Sequence, residues 1–65
     1  MKALDNILKQ LQDSQWHNLD EIKKGMYIPS EKLNMLLAFL EKQSLIIIEE
    51  GKLKITQLGT KFLFL

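Results

Sequence analysis

A chain of 65 residues with a net charge of +1 makes at most one domain, residues 1–65, near the lower size limit for a core that stands without a staple or a partner. Cysteine is absent and His17 is the sole histidine, which excludes disulfides, thiolate metal sites and histidine-rich metal sites. No apolar run approaches the ~20 residues that span a bilayer, and the N-terminal residues lack the apolar stretch of a signal peptide, so the expectation is a cytoplasmic protein with no membrane partner.

Leu4, Ile7, Leu8 and Leu11 recur at i, i+3, i+4 and i+7, the spacing of one apolar helix face. The predicted first helix covers about residues 2 to 12. Asp13, Ser14 and Gln15 then offer turn-forming side chains that end the pattern. Trp16 could serve as a base-stacking platform but is expected in the core, and His17 is expected at the surface. Asn18 suits the N-cap of a short second helix, with Asp20 and Glu21 at its positive end and Lys23 and Lys24 at its negative end. Gly25 suits the position just past its close.

Pro29 disfavours helix at Ile28. Met26, Tyr27 and Ile28 therefore form a link, and Tyr27 and Ile28 are expected to pack at the core edge. Ser30 is the predicted N-cap of a third helix, in which Leu33, Leu36, Leu37 and Leu40 repeat the apolar stripe as far as about Gln43. Two helices joined by a short turn make a helix-turn-helix unit. Leu45 to Ile48 is β-branched and too short for a helix, so it reads as a strand. Glu50-Gly51 supplies a hairpin turn. Lys52 to Thr56 alternates strictly and forms the return strand, with Leu53 and Ile55 inward. Thr56 can cap a last segment, Gln57 to Leu65, helical in part. The fold class is α+β, mostly α: a three-helix core, a C-terminal β-hairpin and a short C-terminal helical segment.

Three stretches carry a family resemblance: Trp16 to Ile22, Leu36 to Ile46 and Lys54 to Leu63. They follow the patterns W-x-x-x-x-E-I, L-E-x-x-G-L-I and I-T-x-x-G-x-x-F-L, and the chain resembles the winged helix-turn-helix family, in particular small archaeal and bacterial transcription-regulator-like domains. The resemblance covers nearly the whole chain. Its motifs are packing motifs, specific for fold and nearly silent on ligand. Ser44 departs from the pattern where the family prefers glycine. A left-handed serine costs ~1 kcal/mol or more, so the third helix is expected to end in another conformation.

In that family the third helix enters the DNA major groove and the wing touches the backbone or minor groove. Carried over to residues 31–42 and 49–54, the resemblance implies a dimeric DNA-binding transcriptional regulator. Lys32, Lys42, Lys52 and Lys54 are then the candidate phosphate contacts, and Asn34 is the candidate base reader, since its amide can pair with adenine.

Other readings stand beside this one. All nine basic residues are lysine, so the guanidinium fork that most often reads guanine is missing. Helical geometry puts Glu31, Met35, Ala38 and Lys42 opposite the leucine stripe, a face equally suited to plain solvation or, through Met35 and Phe39, to a protein partner. Lys52 and Lys54, with Glu49 and Glu50 at the tip, can equally keep a strand edge from pairing with other chains. Phe62-Leu63-Phe64-Leu65 sets four large apolar side chains in a row. They are expected either to fold back on the first helix or to pack against another chain. A homodimer is favoured, with Met35, Phe39, Phe62, Phe64 and Leu65 at its interface; the alternative is docking onto a larger protein. Ser14, His17 and Asp20 lie in one short segment and form no catalytic set. Gly25, Gly51 and Gly59 are too far apart for a phosphate loop. No enzyme activity, cofactor, metal or small-molecule substrate is expected.

Overall fold

In a computed structural model that describes residues 2–65, the elements run α1 (Lys2–Gln10), β1 (His17–Asn18), α2 (Leu19–Lys24), α3 (Ser30–Lys42), β2 (Ile46–Glu49), β3 (Lys52–Ile55) and α4 (Gln57–Leu63). The fold is α+β and mostly helical, with four helices and a three-stranded antiparallel sheet in the order β1-β3-β2. Both apolar stripes do what their spacing requires. Ile7, Leu8 and Leu11 meet Leu33, Leu37 and Leu40 in a core closed by Ile22, Leu53 and Ile55. α1 ends at Gln10, short of the expected close, and residues 11–13 continue as turns. Ser30 opens α3 as its first helical residue rather than capping it, and Pro29 takes the cap position. Asn18 holds the N-cap position of α2, but its side chain makes no capping hydrogen bond.

The hairpin register pairs Ile46 with Ile55 and Glu49 with Lys52, leaving a two-residue turn. Glu50 and Gly51 have φ of 50° and 76°, both left-handed as such a turn requires in order to match the strand twist.

The end of α3 overturns the expectation for Ser44. Its φ is 61°, the left-handed value. Leu45 N donates to Leu40 O at 2.9 Å and Ser44 N donates to Glu41 O at 3.0 Å. These are the paired bonds of a Schellman closure, and the buried Leu40 and Leu45 supply its apolar contact. The carbonyls satisfied and the leucines buried outweigh the steric cost of a serine side chain. Ser44→Gly should therefore raise stability by up to about 1 kcal/mol, read as an upward shift in the denaturation midpoint. No gain would mean that the strain is absorbed elsewhere.

The sheet holds one strand more than the hairpin read from sequence. β1 pairs with β3, His17 opposite Leu53 and Asn18 opposite Lys52. This pairing corrects the placement of three side chains. His17 shares the inner face with Leu53 and is half-buried rather than at the surface. Trp16, one position earlier, falls on the outer face by strand alternation, and it is 43% exposed instead of lying in the core. Tyr27 is fully exposed, because Met26 turns inward in its place; Ile28 packs against the core as expected.

His17 lies between two carboxylates. Its Nε2 is 2.8 Å from Asp13 Oδ1, and its Nδ1 is 3.5 Å from Glu21 Oε2. The hydrogen bond to Asp13 raises the imidazole pKa against the opposing effect of burial, and the Asp13 and Glu21 charges add to the rise. The same bond, with the Gln15 amide, lowers the Asp13 pKa. The histidine contribution to stability is then fully present below its ordinary pKa of 6.5 and fades as pH rises through the higher folded value. The Asp13 contribution is present above 3.8 and is lost as pH falls through its lower folded value. Between those limits both are in place. Thermal melts at about pH 5.5 and 8 should show the native chain losing more stability on the alkaline side than His17→Gln; equal losses would remove His17 from the account.

Candidate functional site

Two surfaces stand out, and each follows from how α4 and β3 are placed. α4 starts at Thr56, whose Oγ1 accepts from Gly59 N at 2.9 Å and donates to Ser44 O at 2.6 Å. Thr56 N donates to Leu45 O at 3.1 Å. One residue thus ties the end of α3, the end of the hairpin and the start of α4 together. Gly59 is buried where α4 crosses Leu45. A Cβ at this position would sit 2.7 Å from Ile55 Cγ1 and closer still to the Leu45 carbonyl oxygen, so only glycine fits.

Held this close, α4 packs on α1 and leaves a groove between itself and the second half of α3. The groove is about 410 Å³ and is lined by Leu4, Phe39, Leu40, Gln43, Leu45, Leu58, Lys61, Phe62 and Leu65. Its walls are apolar apart from Gln43 and Lys61. Phe39, Leu58, Phe62 and Leu65 are each between 45% and 100% exposed. Met35 lies one helical turn from Phe39 and extends the patch along α3. Of the interface residues read from sequence, Phe39, Phe62 and Leu65 come together here. Phe64 does not line the groove and is exposed, because at the C-cap of α4 it stands about 140° round from the centre of the Leu58–Phe62 face. Leu58 was missed. Its signal was present, since Leu58, Phe62 and Leu65 stand at i, i+4 and i+7.

The second surface is the outer face of the sheet. Lys54 is paired with Ile47, and Lys52 with Glu49 on one side and Asn18 on the other. Alternation puts these residues and Trp16 on one side of the sheet. Lys54 Nζ lies 5.6 Å from the centroid of the Trp16 ring, an exposed cation–π contact of about 0.5–1 kcal/mol.

The DNA-contact residues read from sequence divide between α3 and the sheet. Lys32, Asn34 and Lys42 are exposed on α3, but they do not share a direction. Lys32 and Asn34 are about 160° apart around the helix, and Glu31, Met35, Ala38 and Lys42 fill the arc between them. Two glutamates offset two lysines, so α3 carries no net charge. Lys52 and Lys54 do share a face.

Comparison with family models, with curated proteins and with solved structures gives no significant match. Among the described residues, no helix is long and apolar enough to cross a membrane, and no three His, Cys, Asp or Glu side chains are grouped to hold a metal ion.

Proposed function

We propose that the chain is a winged-helix module that works by self-association, two copies joining through the groove between α3 and α4. The observation that carries this reading is the apolar patch around the groove. Met35, Phe39, Leu58, Phe62 and Leu65 are all exposed. At roughly 200 Å² per bare side chain, they leave on the order of 600 Å² of apolar area, most of the ~800 Å² that each partner gives to a standard interface. Phe39 and Phe62 stand half-exposed on opposite walls of a recess, so each copy offers both rings and a cleft to a two-fold partner. The winged-helix assignment is supported by the element order, in which a short strand between α1 and α2 joins the C-terminal hairpin in one sheet.

Molar mass by light scattering, measured across a dilution series, tests the reading. The expected result is twice the chain mass at high concentration, falling toward one on dilution. A single-chain mass at every concentration would reject it.

A second reading, a regulator bound to duplex DNA, is favoured by Lys52 and Lys54 standing side by side on β3. It requires duplex binding that weakens steeply with salt and that is lost in a Lys52→Ala, Lys54→Ala variant. The neutral outer face of α3 is the reason it stands second.

A further inference from the structure

We propose that the outer face of the sheet is a binding site for single-stranded nucleic acid, with Trp16 stacking a base and Lys52 and Lys54 holding the adjoining phosphates. The site shares no residue with the groove and does not depend on self-association.

Three features support it. First, the largest aromatic side chain of the chain is 43% exposed on the outer face of the sheet. An indole left in this position offers a ring face to a planar partner. Second, the face offers two lysine ammonium groups to an anionic partner. Lys52 and Lys54 are two positions apart on the central strand, so their stems rise from the sheet about 7 Å apart, a separation comparable to that of successive phosphates in an extended strand. Glu49 and Glu50 line the recess at Trp16 together with Lys52, whereas the cross-strand row of Trp16, Lys54 and Ile47 carries no acid. Third, the Lys54 ammonium now rests over the indole. A base that stacks on the ring displaces it toward the phosphate, exchanging a weak exposed contact for a stacking contact and an ion pair.

A platform combining an aromatic ring with lysines takes bases of any identity, because every base has a π-face. A duplex is disfavoured, since its bases turn their faces only to one another. The absence of arginine, a handicap for reading guanine in a major groove, is no handicap here.

Trp16 is the only tryptophan, so its fluorescence reports the site directly. The experiment titrates the full chain with oligothymidylate of about twelve nucleotides, within the range that such surfaces cover. Emission is followed beside the anisotropy of a labelled oligomer. The expected result is saturable quenching that tracks the anisotropy, with log K falling by about 1.4 per decade of salt for two phosphates. Lys52→Gln with Lys54→Gln should weaken binding by about tenfold and flatten that slope, while Lys32→Gln with Lys42→Gln leaves both unchanged. Trp16→Phe, checked for native circular dichroism, should weaken binding while keeping the salt slope.

Any of four results overturns the proposal: no binding, binding without a change in Trp16 emission, a duplex of equal length binding as tightly, or the same quenching by sodium polyphosphate, which has no bases to stack. The mass measurement is read separately, so failure here leaves the self-association reading standing, and the reverse also holds.

Discussion

Gly59→Ala is expected to cost about 3 kcal/mol or more, at the upper end for overpacking a close-fitted site. The obstacle is the Leu45 backbone carbonyl, with Ile55 Cγ1 close behind. A flexible side chain could move aside, but a carbonyl held by the Thr56 amide cannot do so without releasing that bond. For a chain of this length the loss corresponds to a fall of more than about 10 °C in Tm. Gly25→Ala is the internal control. Gly25 has a right-handed φ of −83°, and its added methyl would meet only the end of the Gln10 side chain, which can swing away. It should melt close to the native chain. If Gly59→Ala melts as high as Gly25→Ala, then α4 is not seated against Leu45 and the groove is not built as described.

The other large effect concerns association. Phe62→Glu puts a charge into the apolar wall of the groove while removing a ring that is 45% exposed within one chain. The fold of a single copy should tolerate this change, because that side chain is not part of the buried core. The interface should not, since truncating a central aromatic anchor costs about 2–4 kcal/mol. Kd for self-association should therefore rise by roughly 30- to 1,000-fold, which leaves monomers at micromolar concentration. Phe39→Glu should act alike from the opposite wall. Phe64→Glu, outside the groove, should leave the mass unchanged. A dimer that survives the first two substitutions but not the third would place the contact on the far side of α4.

The contrast between Phe62 and Phe64 shows what the amino-acid order could reveal. Local periodicity was legible. The two leucine stripes, the hairpin turn at Glu50-Gly51 and the Thr56 cap depend on neighbours within a few positions, and each lies where its spacing puts it. What failed to appear depends on partners far along the chain. β1 has only two residues, and it exists because His17 meets Leu53 across the fold. That pairing alone decides that Trp16 faces outward. Ser44 read as a misfit because a serine at positive φ is costly in isolation; the closing bonds to Leu40 and Glu41 that outweigh the cost become visible only once the helix has ended. Of the candidate site, the phenylalanines and lysines were all visible, but the grouping of the phenylalanines was not. The lysines were already divided between the third helix and the return strand; tertiary placement put Phe39 beside Phe62 and left Phe64 out.

Thr56 has one more consequence. Its hydroxyl and amide bond to Ser44, Leu45 and Gly59 at once, so moving α4 away from the end of α3 breaks bonds on both sides. Where these bonds hold the backbone of the cleft, an occupant loses less affinity to ordering it. Amide exchange at Leu45 and Gly59 then belongs to one cooperative opening, the unit in which this corner of the protein breathes.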